Sequence, residues 1–431
     1  SSNQIRVYLT KFDTAGNPYY AYEHDGHKYF PPNIRFRAAL ADYDLDGRPD
    51  LFVYAIGGVK VYRNVGNAAD GLKWVVAYEL LESVYTAGKS NLFVSSIDIP
   101  AFFDVDQDGD LDVLTFNIGG ERVEFHKNLS MENYGVPDSL EFVLEDACWG
   151  RFREGEFDNT IQLNASDGAC SGNMPPFEDE TRELRHVGSC LLAIDLNNDQ
   201  VSDLLLGDVE AANITALING ANLPSDEALM TSLDVNFPSN TTPVNLEVMP
   251  AGYHLDIDFD GVKDLLFATN AAGASENRDG IRAYKNVGTN EQPQFIFQPN
   301  GFLQREMIDN GRGSIPVFVD LNDDGLMDLM VANNYRYKSF LQRSSQIQYY
   351  QNIGTAESPA FSLINDDWAN LSAAGYNNRI VPAFGDLDND GMLDMVLGTG
   401  NGFVHWYKKN GPGYNDYALH EFQMKDLNDN P

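Results

Sequence analysis

Short apolar runs alternate along this chain with clusters of Asp, Asn and Gly, and the alternation repeats as a unit. A run such as Ile99–Phe103, Ile315–Val319 or Val381–Gly385 leads into an acidic stretch. A second apolar run follows at once, as at Leu51–Tyr54 or Leu265–Ala268. A third ends in an Asn-containing turn (Val61–Asn67, Ala283–Asn290, Tyr349–Thr355), and a fourth, such as Pro293–Phe297, closes the unit. Runs this short, rich in Val, Ile, Phe and Tyr and bounded by turn formers, predict strands; no segment has the 3.6-residue period of a helical repeat. Four antiparallel strands per unit predict an all-β chain, a β-propeller of four-stranded blades.

Six acidic stretches fix the phase of the repeat. They begin at Asp42, Asp104, Asp195, Asp256, Asp320 and Asp386, at spacings of 62, 91, 61, 64 and 66 residues. The acidic-loop blades start near residues 35, 97, 188, 250, 313 and 379, and the one long interval holds an insertion over 147–183. Residues 1–34 read as a partial blade without an acidic loop, so the expectation is one propeller domain over 1–431 with about seven blades. Either the two ends share the last blade or the native chain continues beyond Pro431.

The stretches share the template D-x-[DN]-x-D-G-x-x-D, placed between strands one and two. A hard cation such as Ca²⁺ takes six to eight oxygens, and carboxylates at positions one, three and five of a tight loop converge on one point. Positions one, three, five and nine supply Asp42, Asp44, Asp46 and Asp50 in the first loop, and Asp104, Asp106, Asp108 and Asp112 in the second. The third loop offers Asp195, Asn197, Asp199 and Asp203, and the fourth Asp256, Asp258, Asp260 and Asp264. The last two offer Asp320, Asn322, Asp324 and Asp328, then Asp386, Asp388, Asp390 and Asp394. Position seven, placed to give a backbone carbonyl, is Arg48, Asp110, Val201, Val262, Leu326 or Met392. Position six is Gly, the residue that most easily takes a left-handed backbone, except at Gln200, so the Asp195 loop departs furthest from the template. An EF-hand begins the same way but needs an acidic residue at position twelve, where this chain has Val53, Thr115, Leu206, Phe267, Val331 and Leu397. The expectation is five or six structural Ca²⁺ ions.

These motifs resemble the FG-GAP/VCBS repeat family, the calcium-loop β-propellers that include integrin α-subunit heads. The resemblance implies a calcium-stabilised propeller used for adhesion, ligand binding or scaffolding. The long unit, with Asp146–Phe152 and Arg185–Asp199, also resembles surface proteins of Bacteroidota bacteria, which commonly leave the cell by type IX secretion. That second likeness implies a secreted or cell-surface location, a place in a larger surface protein or secretion complex, and O-glycosylation sequons at Thr14 and Ser139.

Composition narrows the partners. Against 29 basic residues stand 64 acidic ones, a net charge of −35, which disfavours nucleic acid and anionic membranes. No apolar run is long enough to span a bilayer. Of the three cysteines, Cys148 and Cys170 are candidates for a local disulfide; three reduced thiols are the alternative. In antiparallel blades the acidic loops share one face with the Asn turns, and the two–three and four–one connections share the other. On that second face Asn270–Gly280, Asn333–Ser345 and the insertion are enlarged, and loops held by a rigid frame are where binding residues concentrate. Tyr335, Arg336, Tyr337, Lys338 and Arg343 form a basic, aromatic cluster there, a candidate site for a protein or glycan ligand. A lectin-like, polysaccharide-binding propeller is the alternative, and a polysaccharide lyase-type enzyme a third. No G-x-S-x-G, H-E-x-x-H or phosphate-binding glycine loop is present, so the expectation is a binding module and not an enzyme.

Overall fold

The computed structural model describes residues 5–155, 159–163, 170, 188–270, 280–299, 302–303, 307–339, 342–376 and 378–424. Most of the 147–183 insertion and of the Asn270–Gly280 loop lies outside these residues. The chain is all-β and divides into two compact units. One comprises residues 1–272 and 281–303, the other 273–280 and 304–431.

The first unit holds four sheets with the same up-and-down order. They are Ala38–Ala41, Asp50–Ala55, Gly58–Asn64 and Trp74–Tyr78; then Ala101–Phe103, Asp112–Phe116, Val123–Asn128 and Phe142–Asp146. The third is Ser189–Ile194, Asp203–Asp208, Ile214–Asn219 and Met230–Asp234, and the fourth Pro250–Leu255, Asp264–Thr269, Ile281–Asn286 and Phe295–Gln298. The second unit holds Ile315–Val319, Asp328–Ala332, Ile347–Asn352 and Phe361–Asn365, then Ile380–Gly385, Asp394–Thr399, Val404–Lys409 and Tyr417–Glu421. Every acidic stretch joins the first and second strands of its sheet.

The second strands are almost continuously apolar because both their faces are covered. Leu51–Val53, Leu204–Leu206 and Leu329–Ala332 are buried throughout. Successive sheets within a unit share cores. Phe52, Val61 and Val113 join sheets one and two; Leu114, Phe125, Leu204 and Met230 join two and three; Leu205, Ala216, Phe267 and Tyr284 join three and four. In the second unit Met330, Tyr349, Trp368 and Met395 play the same part.

Four features among the described residues lie outside the four-strand grammar, two of them the small hairpins Phe152–Glu154/Ile161–Leu163 and Arg336–Ser339/Gln342–Ser344. The second sheet has six strands, because the hairpin Glu82–Tyr85/Gly88–Asn91 adds to its outer edge, with Glu82–Tyr85 parallel to Phe142–Asp146. Residues 1–34, read above as a partial blade, contain the two-stranded hairpin Val7–Phe12/Pro18–Glu23, which pairs with itself. It packs on the fourth acidic loop, Phe12 and Tyr20 against Phe259, with the Tyr20 hydroxyl donating to the Ile257 carbonyl at 2.8 Å. Among the described residues no helix is long and apolar enough to cross a membrane.

Candidate metal centres

All six loops are built the same way. The position-one carboxylate turns back over its own loop, and its Oδ2 accepts the N–H of position six: Gly47 at 2.8 Å, Gly109 at 3.1 Å, Gln200 at 2.9 Å, Gly261 at 2.9 Å, Gly325 at 2.8 Å and Gly391 at 3.0 Å. The position-five Oδ1 accepts the N–H of position seven, at 2.9 to 3.2 Å in every loop. This winding needs left-handed backbone at two places. Position six has φ between +70° and +103°, and Gln200 takes it without being Gly. Position four is left-handed too, at Leu45, Gln107, Asn198, Phe259, Asp323 and Asn389. A non-Gly residue there costs roughly 1–2 kcal/mol, so the loops hold strain that their internal hydrogen bonds offset.

Position nine is different in kind. Asp50, Asp112, Asp203, Asp264, Asp328 and Asp394 open the second strands and are at most 1% exposed. In each, one oxygen accepts the N–H of position two, and the other accepts the backbone N–H of the last residue of the third strand. For Asp112 the donors are Val105 at 2.9 Å and Asn128 at 2.8 Å; for Asp394 they are Leu387 at 3.3 Å and Lys409 at 2.9 Å. These carboxylates therefore clamp loop to sheet. Burial pushes the Asp112 carboxyl up to about 9, and Asp50 and Asp203 to about 6, against the pull of those N–H donors. Two lysine-paired position-five groups move the other way. Lys408 and the Met392 N–H hold Asp390 below the usual carboxylate range, and the Val262 N–H and Lys285 do the same for Asp260.

Carboxylate oxygens from one loop lie within 4.8 Å of one another in four cases: Asp42, Asp44 and Asp50; Asp104, Asp106 and Asp108; Asp256, Asp258 and Asp260; Asp386, Asp388 and Asp390. A further group joins Asp108 and Asp110 to Glu132, which the short helix Ser130–Tyr134 brings to the second loop. Buried oxygens of Asp104, Asp110 and Asp258 have no hydrogen-bond partner among the described residues. An all-oxygen, mostly anionic donor set with unpartnered buried oxygens suits a hard dication. Asn197 and Asn322 keep an acceptor at position three in the other two loops, where each side-chain amide donates to position five at 2.9 Å.

The sequence pattern gave no sign of a second set of residues, one place before the end of the third strand. Arg63 reaches Asp44 at 2.5 Å and Asp46 at 3.4 Å. Lys127 bridges Asp106, Asp108 and Glu132; Lys285 bridges Asp258 and Asp260; Lys408 bridges Asp388 and Asp390. Each cation sits on Oδ2 of positions three and five. In the Asn197 and Asn322 loops the corresponding residues are Ile218 and Gln351.

The Tyr335–Arg343 cluster divides. Arg336 and Tyr337 were expected on the binding surface, but they are buried. The Arg336 guanidinium forks onto Asp366 at 2.8 and 3.1 Å and donates to Asn310 Oδ1 at 3.1 Å, so it belongs to the frame. Tyr335 remains at the surface between two exposed arginines: Arg343 lies 4.7 Å from its ring centre, and Arg312 donates to its hydroxyl at 3.0 Å. Arg312, 23 residues before Tyr335, was not part of the sequence cluster. The Lys338 side chain lies outside what the structure describes. Elsewhere, a cavity of about 450 Å³ beside the second loop is lined by Asp106, Lys127, Glu145, Trp149, Asp226 and Glu227, an acidic wall unsuited to an anionic ligand.

Cys148 and Cys170 are joined in a disulfide, and Cys190 is a buried thiol. Thr14 is exposed at the tip of the first hairpin. Ser139 is half-buried, its hydroxyl 2.9 Å from that of Ser130.

Fold and loops together define an all-β repeat protein whose sheets each carry an acidic first turn. Residues 42–115 and 320–397 match the FG-GAP-like repeat family, so the repeats in those two regions are FG-GAP-like. Among solved structures the chain is similar to an Agrocybe aegerita lectin described as recognising non-reducing terminal N-acetylglucosamine. The two share 15% identity over 89% of this chain and 78% of that one, with a TM-score of 0.29, too distant a likeness to bear on ligand. No curated protein matches the sequence.

Proposed function

We propose that the chain is a calcium-stabilised β-propeller, secreted or displayed at the cell surface, that acts as a binding module and not as an enzyme. The observation that carries this reading is the recurrence of a carboxylate cradle built on positions one and three, closed by position five in three loops and by position nine in the first, with three oxygens inside 4.8 Å in each of four sheets. An acidic turn occurring once needs no ligand, whereas the same convergence repeated at one phase indicates a shared one. Positions one, three and five would hold the ion, and position nine, with lone pairs to spare on each oxygen, would support it from the strand. Bound calcium supplies charge neutralisation: it draws the like-charged carboxylates together and fixes the turn between the first two strands. The propeller reading has the same basis in repetition, since six sheets share one strand order and consecutive sheets within a unit share a core.

The partner side of the proposal rests on Tyr335 with Arg312 and Arg343. A planar ring flanked by two guanidinium groups, in a chain of net charge −35, suits an acidic protein patch or an acidic glycan. The test of the calcium reading is thermal unfolding in chelator and across a calcium titration, with metal analysis of the same sample. A ligand that binds only the native state stabilises by RT ln(1 + [L]/Kd) per site, so several sites give a large rise in Tm. Loops that analysis shows to be metal-free, with melting indifferent to calcium, would end this account.

A further inference from the structure

The loops fall into two classes, and the third strand tells them apart. Where position three is Asp, the facing residue on the third strand is a cation: Arg63, Lys127, Lys285 or Lys408. Where position three is Asn, at Asn197 and Asn322, the facing residue is Ile218 or Gln351. By formal charge at positions one, three, five and nine with that residue, four acidic groups and a cation give the same −3 as three acidic groups and none. In the second class the Asn amide donates to Oδ2 of position five, the oxygen that the cation contacts in the first class. Among the described residues, Lys409 is the one cation that reaches an Asn-class loop, and it goes elsewhere, to the Leu321 carbonyl at 3.2 Å and to Asp323 at 2.9 Å.

We propose that the third-strand cation is a tethered counter-ion: it holds the four Asp-class loops together when no dication is bound, and it opposes the dication when one arrives. The geometry carries both halves. Lys408 Nζ lies against Oδ2 of both Asp388 and Asp390, two of the three residues in that loop's cradle. Without it these carboxylates face each other uncompensated. With it, an incoming Ca²⁺ meets a fixed positive charge on oxygens of the same two groups. A charge of two beside a charge of one at about 4 Å in a water-like dielectric corresponds to roughly thirtyfold in affinity, and screening brings this down toward tenfold or less. The tether therefore sets how much calcium the loop needs and how well it keeps its shape below that concentration.

This inference rests on the calcium reading, and the experiment separates the two. Lys408→Met keeps most of the aliphatic stem and removes the charge; Lys285→Met does the same in the other unit, should either variant fold poorly. Melting is followed in chelator and through a calcium titration, with calorimetry for affinity. The expected result is a lower Tm than the parent in chelator together with a calcium midpoint shifted several-fold to about tenfold lower. A variant that melts like the parent in chelator, or binds calcium no more tightly, overturns the tether. A parent whose own melting ignores calcium sinks the calcium reading instead, which is a different result from the same titration.

Discussion

Within one loop, neighbouring carboxylates do different work, and substitution should separate them. Asp394 is fully buried with both oxygens on backbone N–H groups, so Asp394→Asn turns one acceptor into a donor facing a donor. A buried group left unsatisfied in this way costs about 2–4 kcal/mol. The loss should appear in urea unfolding with chelator as well as with calcium. Asp388→Asn touches a solvent-facing pair with Lys408 and should cost under about 1 kcal/mol in chelator. Its larger effect should be on the calcium-dependent part of the stability. Equal losses for the two variants in chelator would show that position nine is not the clamp described here. The sequence shows that both residues are acidic and in phase, but not this division, because burial is decided by which strand an Asp opens. Left-handed backbone at position four was equally hidden: Leu45, Gln107 and Phe259 carry no local signal for it, unlike the glycines two places on.

At the scale of strands and hairpins, the alternation of apolar runs and acidic turns was legible because a short buried strand must be apolar on both faces and must end in a tight turn. All six first turns fall where the pattern put them. Additions that depend on contacts far along the chain were not legible. The Glu82–Asn91 hairpin joins the second sheet through Phe142 and Val143, some sixty residues away, and nothing in its own sequence names that edge. The Arg336–Ser339/Gln342–Ser344 hairpin shows the same limit in its side chains. Adjacent residues of a strand point to opposite faces, and Arg336 and Tyr337 are both buried, so both faces are covered there, whereas a run of basic and aromatic residues reads as surface. Arg336→Ala should cost about 1–3 kcal/mol, since it removes a fork onto Asp366 and leaves Asn310 short of a donor. Arg343→Ala should leave stability within about 0.5 kcal/mol and weaken binding of an acidic ligand. Denaturant unfolding of both variants, followed by heparin-like and neutral glycans as binding probes, checks the contrast. A destabilised Arg343→Ala with unchanged binding would return that residue to the frame.

For the molecule as a whole, the charge of −35 is a destabilising field unless something offsets it, and three things can: tethered cations, bound dications and the ion atmosphere. The first is fixed by the chain, so the other two can be told apart by salt. In chelator, Tm should rise steeply with NaCl, because a Debye length of roughly 10 Å at 0.1 M begins to screen neighbouring loops from each other. With calcium saturating, the same NaCl series should be much flatter, since the charge that salt would screen has been neutralised where it sits. Magnesium separates site from atmosphere. It has the same charge, but it demands near-octahedral geometry and gives up its waters reluctantly, so a cradle of converging carboxylates favours calcium. At equal concentration well below that of the salt, calcium should raise Tm far more than magnesium. If the two dications act alike and either one flattens the salt dependence only at millimolar levels, the carboxylates are an acidic surface held by their own lysines, and the recurrence of the cradle is a matter of loop geometry alone.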